Sequence, residues 1–143
     1  MIPVLPDVDA LVTSALRKGL AGATVRVLWP ASWSAALPLV VARRVPGSAG
    51  SAAGIDAALI DVQCAAATRR EASALARTAR TVLLAACRAQ FPGPDGYLST
   101  GREISGPAEL RTGTPDPGPD LFRFQATYRV TARPHPPTNH PEE

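Results

Sequence analysis

The side chains that could carry out acid–base or nucleophilic chemistry are few and scattered. His135 and His140 lie in a proline-rich segment near the C-terminus, where we expect neither an orienting partner nor a desolvated pocket. Cys64 and Cys87 fall on the apolar faces of a predicted strand and a predicted helix, so both are expected to pack in the core. A reactive thiol needs a neighbouring base, and no histidine in the predicted domain can supply one. The sequence therefore predicts no catalytic residues.

Binding motifs for metals and nucleotides are equally weak. Two histidines do not make a metal site. Asp56 and Asp61 point to opposite faces of one predicted strand and cannot form a carboxylate pair. The glycine-rich loop 46–54 lacks the Lys-Ser/Thr pair of a phosphate-binding loop and leads into a strand instead of a helix. We therefore expect no metal and no cofactor.

Arginine is the unusual feature of the composition. The chain has 143 residues, 15 Lys+Arg, 12 Asp+Glu and a formal net charge of +3, and Lys18 is its one lysine. An arginine excess is typical of a polyanionic partner such as DNA, but also of a GC-rich genome and of protein interfaces. Because +3 is modest for this length, genome bias is favoured over DNA binding.

Periodicity places these residues on helices and strands. Apolar residues recur at helical spacing over residues 8–20, where Asp7 can cap the first turn. Thr68-Arg69-Arg70-Glu71 has the pattern of a capping box that opens a second helix, residues 69–89. Alternation and turn residues predict strands at 24–28, 37–45, 55–66, 97–104, 108–111 and 121–133. Segment 31–36 is expected to be a loop, and strands 37–45 and 55–66 to form a hairpin around a flexible loop 46–54.

This order of elements predicts an α+β fold in which a mostly antiparallel sheet of about five strands carries two helices on one face. A single domain is expected over residues 1–133, followed by a disordered proline-rich tail at 134–143. No run of residues approaches the roughly 18 apolar residues of a membrane span, so no membrane association is expected.

Several of these segments together resemble a known family. The opening helix is followed by Val25-Arg26-Val27, and segments 37–44, 55–64 and 66–72 run from a strand with aspartates into an Ala- and Arg-rich capped helix. Segment 124–130 closes the pattern, which covers about residues 5–133. The chain resembles the tail terminator proteins of long-tailed bacteriophages with GC-rich hosts.

The resemblance implies a non-enzymatic virion protein in the tail neck, assembled in the host cytoplasm. Its implied partners are other copies of itself in a homo-hexameric ring, the tail-tube protein, whose growth it ends, and a head–tail connector or stopper protein. Genomic DNA would pass through the lumen without sequence-specific binding.

Candidate interface residues follow from that role. Arginine and tryptophan are favoured at protein interfaces, and a glycine-rich loop can become ordered on contact with a partner. The candidates are Trp29, Trp33, Arg43, Arg44, Gly47, Gly50, Gly54, Arg123 and Arg129. Two alternatives stay open: another neck protein such as a stopper or connector component, and a small DNA-binding regulator.

Overall fold

The structure is a computed structural model that describes residues 4–47, 54–110 and 121–136. Its two helices are α1 (Val8–Gly19) and α2 (Arg69–Arg88). Its strands are β1 (Thr24–Arg26), β2 (Leu39–Val45), β3 (Asp56–Ala66), β4 (Gly96–Glu109) and β5 (Phe122–Pro134), and a short 3₁₀ helix spans Trp33–Ala36. No helix in these three ranges is long and apolar enough to cross a membrane.

Both helices begin where their capping residues predict. The Asp7 carboxylate accepts a hydrogen bond from the Ala10 N–H at 3.1 Å, which satisfies a free donor of the first turn of α1. The Thr68 hydroxyl accepts from the Glu71 N–H at 3.2 Å, which is one of the two bonds of the predicted capping box. The predicted ends of both helices agree with the structure to within one residue.

Small side chains let α2 lie close to the sheet. Its buried positions are Ala72, Ala76, Ala79, Leu83 and Cys87. A Cβ atom added to Gly101 of β4 would lie only 2.6 Å from the Cys87 Sγ, so the helix and the strand touch at that glycine.

The five strands form one sheet in the order β1-β2-β3-β5-β4. The short β1 pairs with β2 in parallel, and the other neighbouring pairs are antiparallel, including the predicted β2–β3 hairpin. The buried residues of both helices join a single core cluster with the strands, so both helices lie on one face of the sheet. The predicted α+β class is confirmed.

Alternation along β3 and β5 divides their side chains between the two faces. On β5, Phe124, Ala126, Tyr128, Val130 and Ala132 are buried under the helices, as the sequence predicts. The residues between them point to the opposite face, which neither α1 nor α2 covers. We call this second surface the open face.

The structure differs from the predicted elements at three places. The first strand ends at Arg26 instead of residue 28, and Trp33–Ala36 forms a 3₁₀ helix instead of a loop. The predicted strands 97–104 and 108–111 are one strand, β4, whose register against β5 shifts three times. Because β4 is an edge strand, bulges can absorb Gly106 and Pro107 without ending it. Arg111 and the predicted turns at 112–120 lie outside the described residues.

Pro134 and His135 have defined neighbours instead of belonging to a free tail. Strand β5 continues to Pro134, and the His135 Nε2 lies 2.7 Å from the Gly93 carbonyl oxygen. The imidazole also stacks on Tyr97, with ring centroids 6.1 Å apart. The expectation of an unpartnered His135 is therefore wrong, because the last strand holds it beside the loop before β4. Residues 137–143, with His140, lie outside the described residues.

Candidate interface

Both predicted tryptophans cover one corner of the open face. Leu39, Val41 and Ala65 are buried there in a second apolar cluster, separate from the core under the helices. The chain between β1 and β2 crosses over this corner, and its half-buried Trp29 and Trp33 pack against the cluster. Part of each indole therefore stabilises the fold, and the remaining surface is free to contact a partner.

Arg123 is held at the same corner by Trp29. Its guanidinium carbon lies 5.6 Å from the centre of the Trp29 ring, within cation–π range. This contact orients a half-buried arginine beside a half-buried tryptophan. Arginine and tryptophan are the residue types most often found in the energetic centre of protein interfaces.

Arg43 lies on the open face, opposite a carboxylate that is already hydrogen-bonded to other side chains. Its Cα partner across the β2–β3 pair is Asp61, which is only 8% exposed. Asp61 accepts hydrogen bonds from the side-chain amides of Gln63, at 3.3 Å, and of Gln125. Arg43 itself is exposed and forms no ion pair within the described residues.

Arg44 points to the opposite, helical face. Its guanidinium binds both carboxylate oxygens of Asp56 at 2.7 and 2.8 Å, and its backbone N–H donates to the Asp9 carboxylate at 2.7 Å. The hydrogen bond to Asp56 raises the pKa of Arg44 above its usual value. Arg43 and Arg44 therefore lie on different faces of the sheet, because neighbouring residues of a strand face opposite ways, and contact of either residue with a partner stays a prediction.

A cluster that sequence reasoning missed lies where β4 meets β5 on the open face. Arg102 and the candidate residue Arg129 are Cα partners, and Thr100 and Thr131 form the next pair on the same face of the two strands. The two threonine hydroxyls lie 2.6 Å apart. These four residues and Gly101 line a shallow depression of about 270 Å³. Arg102 lies in a predicted strand, but pairing between strands is needed to place it beside Arg129.

The predicted loop glycines lie at the base of the β2–β3 hairpin. Gly47 and Gly54 have φ angles of +111° and +80°, values that side chains other than glycine rarely adopt. Their conformation gives both glycines a structural role, and contact with a partner stays a prediction. Gly50 lies outside the described residues.

Other arginines are paired on the helical face. Arg69 binds Glu109 at 2.8 Å, and Arg80 binds Glu103. Both pairs join α2 to the edge strand β4. The described acidic side chains on the sheet thus form ion pairs or hydrogen bonds within the chain. Arg43, Arg102 and Arg129 on the open face have no ionic partner in the described part of the chain.

The cysteines are free and buried, as predicted. Burial raises the pKa of Cys64 to about 12 and that of Cys87 to about 11, so neither thiol ionises readily near neutral pH. Within residues 4–47, 54–110 and 121–136, no three His, Cys, Asp or Glu side chains come together as metal ligands. The chemistry that the described surface supports best is polar contact with another macromolecule.

Comparison with known proteins gives one match. A family model described as phage tail termination protein matches residues 4–139, which is nearly the whole chain. None of the curated proteins compared with the sequence matches it significantly.

Proposed function

The chain belongs to the phage tail termination protein family, and we propose that it forms a ring that closes the end of the tail tube. The family is structural, and we infer that this member also acts by binding alone, without a catalytic step. The family match is the observation that carries the proposal. The open face supports it, since outside the corner under Trp29 and Trp33 this side of the sheet bears polar and arginine side chains that neither α1 nor α2 covers.

A closed ring of identical subunits needs two different, complementary patches on each subunit. The sheet has two unlike free edges in its described part, the three-residue β1 and the fourteen-residue β4. The open face adds a third patch, with Arg43 and Arg102 exposed. One subunit therefore offers distinct surfaces for two neighbours in the ring and for a partner above or below it.

We propose six copies per ring, with one side on the tail-tube protein and the other on a head–tail connector or stopper protein. The ring would sit in the neck of the virion after assembly in the host cytoplasm. Genomic DNA would pass through the lumen without being read, because the exposed arginines of the described part of the chain are spread over α2 and several strands instead of lining one groove, and no row of stacking aromatics accompanies them.

The test adds the purified protein to polymerising tail-tube protein of the same phage. We expect less than one copy per tube subunit to stop growth, with shorter tubes and a ring at one end in negative-stain images. Native mass spectrometry of the capped ends should give six copies per ring. Tubes that grow to the same length with and without the protein would contradict the proposal, and binding to portal complexes instead of tubes would indicate a stopper.

A further inference from the structure

The pair Arg102 and Arg129 is a feature that the fold alone does not explain. Two residues that are directly opposite on antiparallel strands have Cβ atoms about 5 Å apart, and like charges at such positions destabilise the sheet. Arg129 is half-buried, and the strand pairing holds its backbone directly opposite that of Arg102. An anion placed between the two guanidinium groups would remove this repulsion.

No carboxylate of the described chain is positioned to act as that anion. Asp56, Glu103 and Glu109 are paired with arginines of their own, and Asp61 is held by two glutamine amides. The depression between Arg102 and Arg129 is also lined by the Thr100 and Thr131 hydroxyls; one donates to the other, and the second is left to donate to an incoming oxygen. The depression thus combines two positive charges with neutral donors and contains no acid.

We propose that this depression, lined by Thr100, Gly101, Arg102, Arg129 and Thr131, binds a carboxylate on the acidic surface of a different protein. Guanidinium groups bind carboxylates through paired, charge-assisted hydrogen bonds. A second copy of the chain fits less well, since its described carboxylates at the sheet already have internal partners.

The rest of the open face favours a protein over nucleic acid. Trp29 and Arg123 lie about 20 Å from Arg129 along β5, at the far end of the same face. The buried carboxylate of Asp61 lies between these two sites, where it would repel a continuous line of phosphates. Arginine and tryptophan separated by glutamine and threonine side chains are typical of protein interfaces. The inference rests on the proposed function, and it assigns the open face to the tail tube.

Arg102→Glu is the decisive variant. It turns the opposed arginines into an Arg–Glu pair, so the depression receives its carboxylate from within the chain. We expect the melting temperature to stay the same or to rise by up to about 4 °C. Partner binding should nevertheless be lost, which a residue with a merely structural role would not show. Arg77→Glu makes the same change of charge on the outer surface of α2 and serves as the matched control.

The full-length protein and both variants are titrated with a fluorescent deca-glutamate peptide and with a 25-base-pair DNA duplex, each over a range of salt concentrations. We expect Arg102→Glu to bind the peptide more than about tenfold less tightly than the parent protein and Arg77→Glu to match the parent within about twofold. Equal peptide binding by Arg102→Glu and the parent protein, or a loss confined to the duplex, would overturn the inference.

Tail-tube capping by the same three proteins separates the inference from the proposed function. If the parent protein does not cap tubes, the proposed function fails, and the peptide titration still decides whether the depression binds carboxylates. If the parent protein and Arg77→Glu cap tubes and Arg102→Glu does not, the open face is the tube contact. Normal capping by Arg102→Glu would overturn the assignment of this face to the tube.

Discussion

Replacing Arg44 by alanine removes the two hydrogen bonds, 2.7 and 2.8 Å long, that hold the Asp56 carboxylate between β2 and β3. The Asp56 side chain is 8% exposed and would lose its charged partner, whereas the Arg44 side chain is 37% exposed and is partly screened by water. An exposed ion pair contributes about 1 kcal/mol or less to stability, whereas removing one partner of a buried pair costs about 3–5 kcal/mol. The Arg44–Asp56 pair lies between these two cases, so we expect the free energy of unfolding to fall by about 2 kcal/mol.

Urea denaturation followed by far-UV circular dichroism measures this loss directly. A change of about 2 kcal/mol corresponds to a melting temperature roughly 4–8 °C lower for a domain of this size. Arg44→Lys should lose about half as much, because a lysine keeps the charge but not the paired hydrogen bonds.

Arg43→Ala is the matched control, since Arg43 is the next residue of the same strand and faces the open side. We expect its free energy of unfolding to change by less than about 0.5 kcal/mol. Equal losses in the Arg43 and Arg44 variants would refute the division of this doublet between the two faces of the sheet.

Three further predictions concern the core and its caps. Gly101→Ala should lower the free energy of unfolding by about 1–3 kcal/mol, because the new methyl group overlaps Cys87. In a double-mutant cycle measured by denaturation, Cys87→Ala in the same chain should recover part of that loss. Additive losses would contradict the close contact. Thr68→Ala should cost about 1 kcal/mol by thermal denaturation through loss of the N-cap of α2, and an unchanged melting temperature would argue against the cap. Burial raises the pKa of Cys64, Cys87 and Tyr128 to about 12, 11 and 12, so each favours its neutral form in the fold. The contribution of these three groups to stability should be constant from neutral pH to about pH 8.5, and stability should fall as the pH rises towards about 12. A flat alkaline profile in a pH series of melts would contradict this.

Local signals predicted the helices and the long strands because each depends on nearby residues. Asp7 and Thr68 are caps that act on the turn that follows them, and the alternation of β5 decides which side chains are buried wherever the strand lies. Composition could not reveal that residues 97–109 form one strand. The edge position of β4, which lets bulges absorb Gly106 and Pro107, depends on pairing with a strand distant in sequence.

Local sequence can single out individual candidate interface residues, but it cannot show which of them come together, because that depends on contacts between distant segments. Trp29 and Arg123 were each singled out, but their contact joins residues that are far apart in the chain. Arg43 and Arg44 are both candidates because they are adjacent arginines, but strand geometry places them on different faces of the sheet. Arg102 was missed because its significance comes from Arg129 on the neighbouring strand, and register cannot be read from either segment alone.

Cryo-electron microscopy of tail tubes mixed with the protein would show whether, and with which face, the protein closes a tube. We expect a ring of six copies at one end of each tube, with the open face and its Arg102–Arg129 pair against the last layer of tube subunits. Tube ends without the protein, or a ring that turns its helices towards the tube and leaves the open face in solvent, would contradict it.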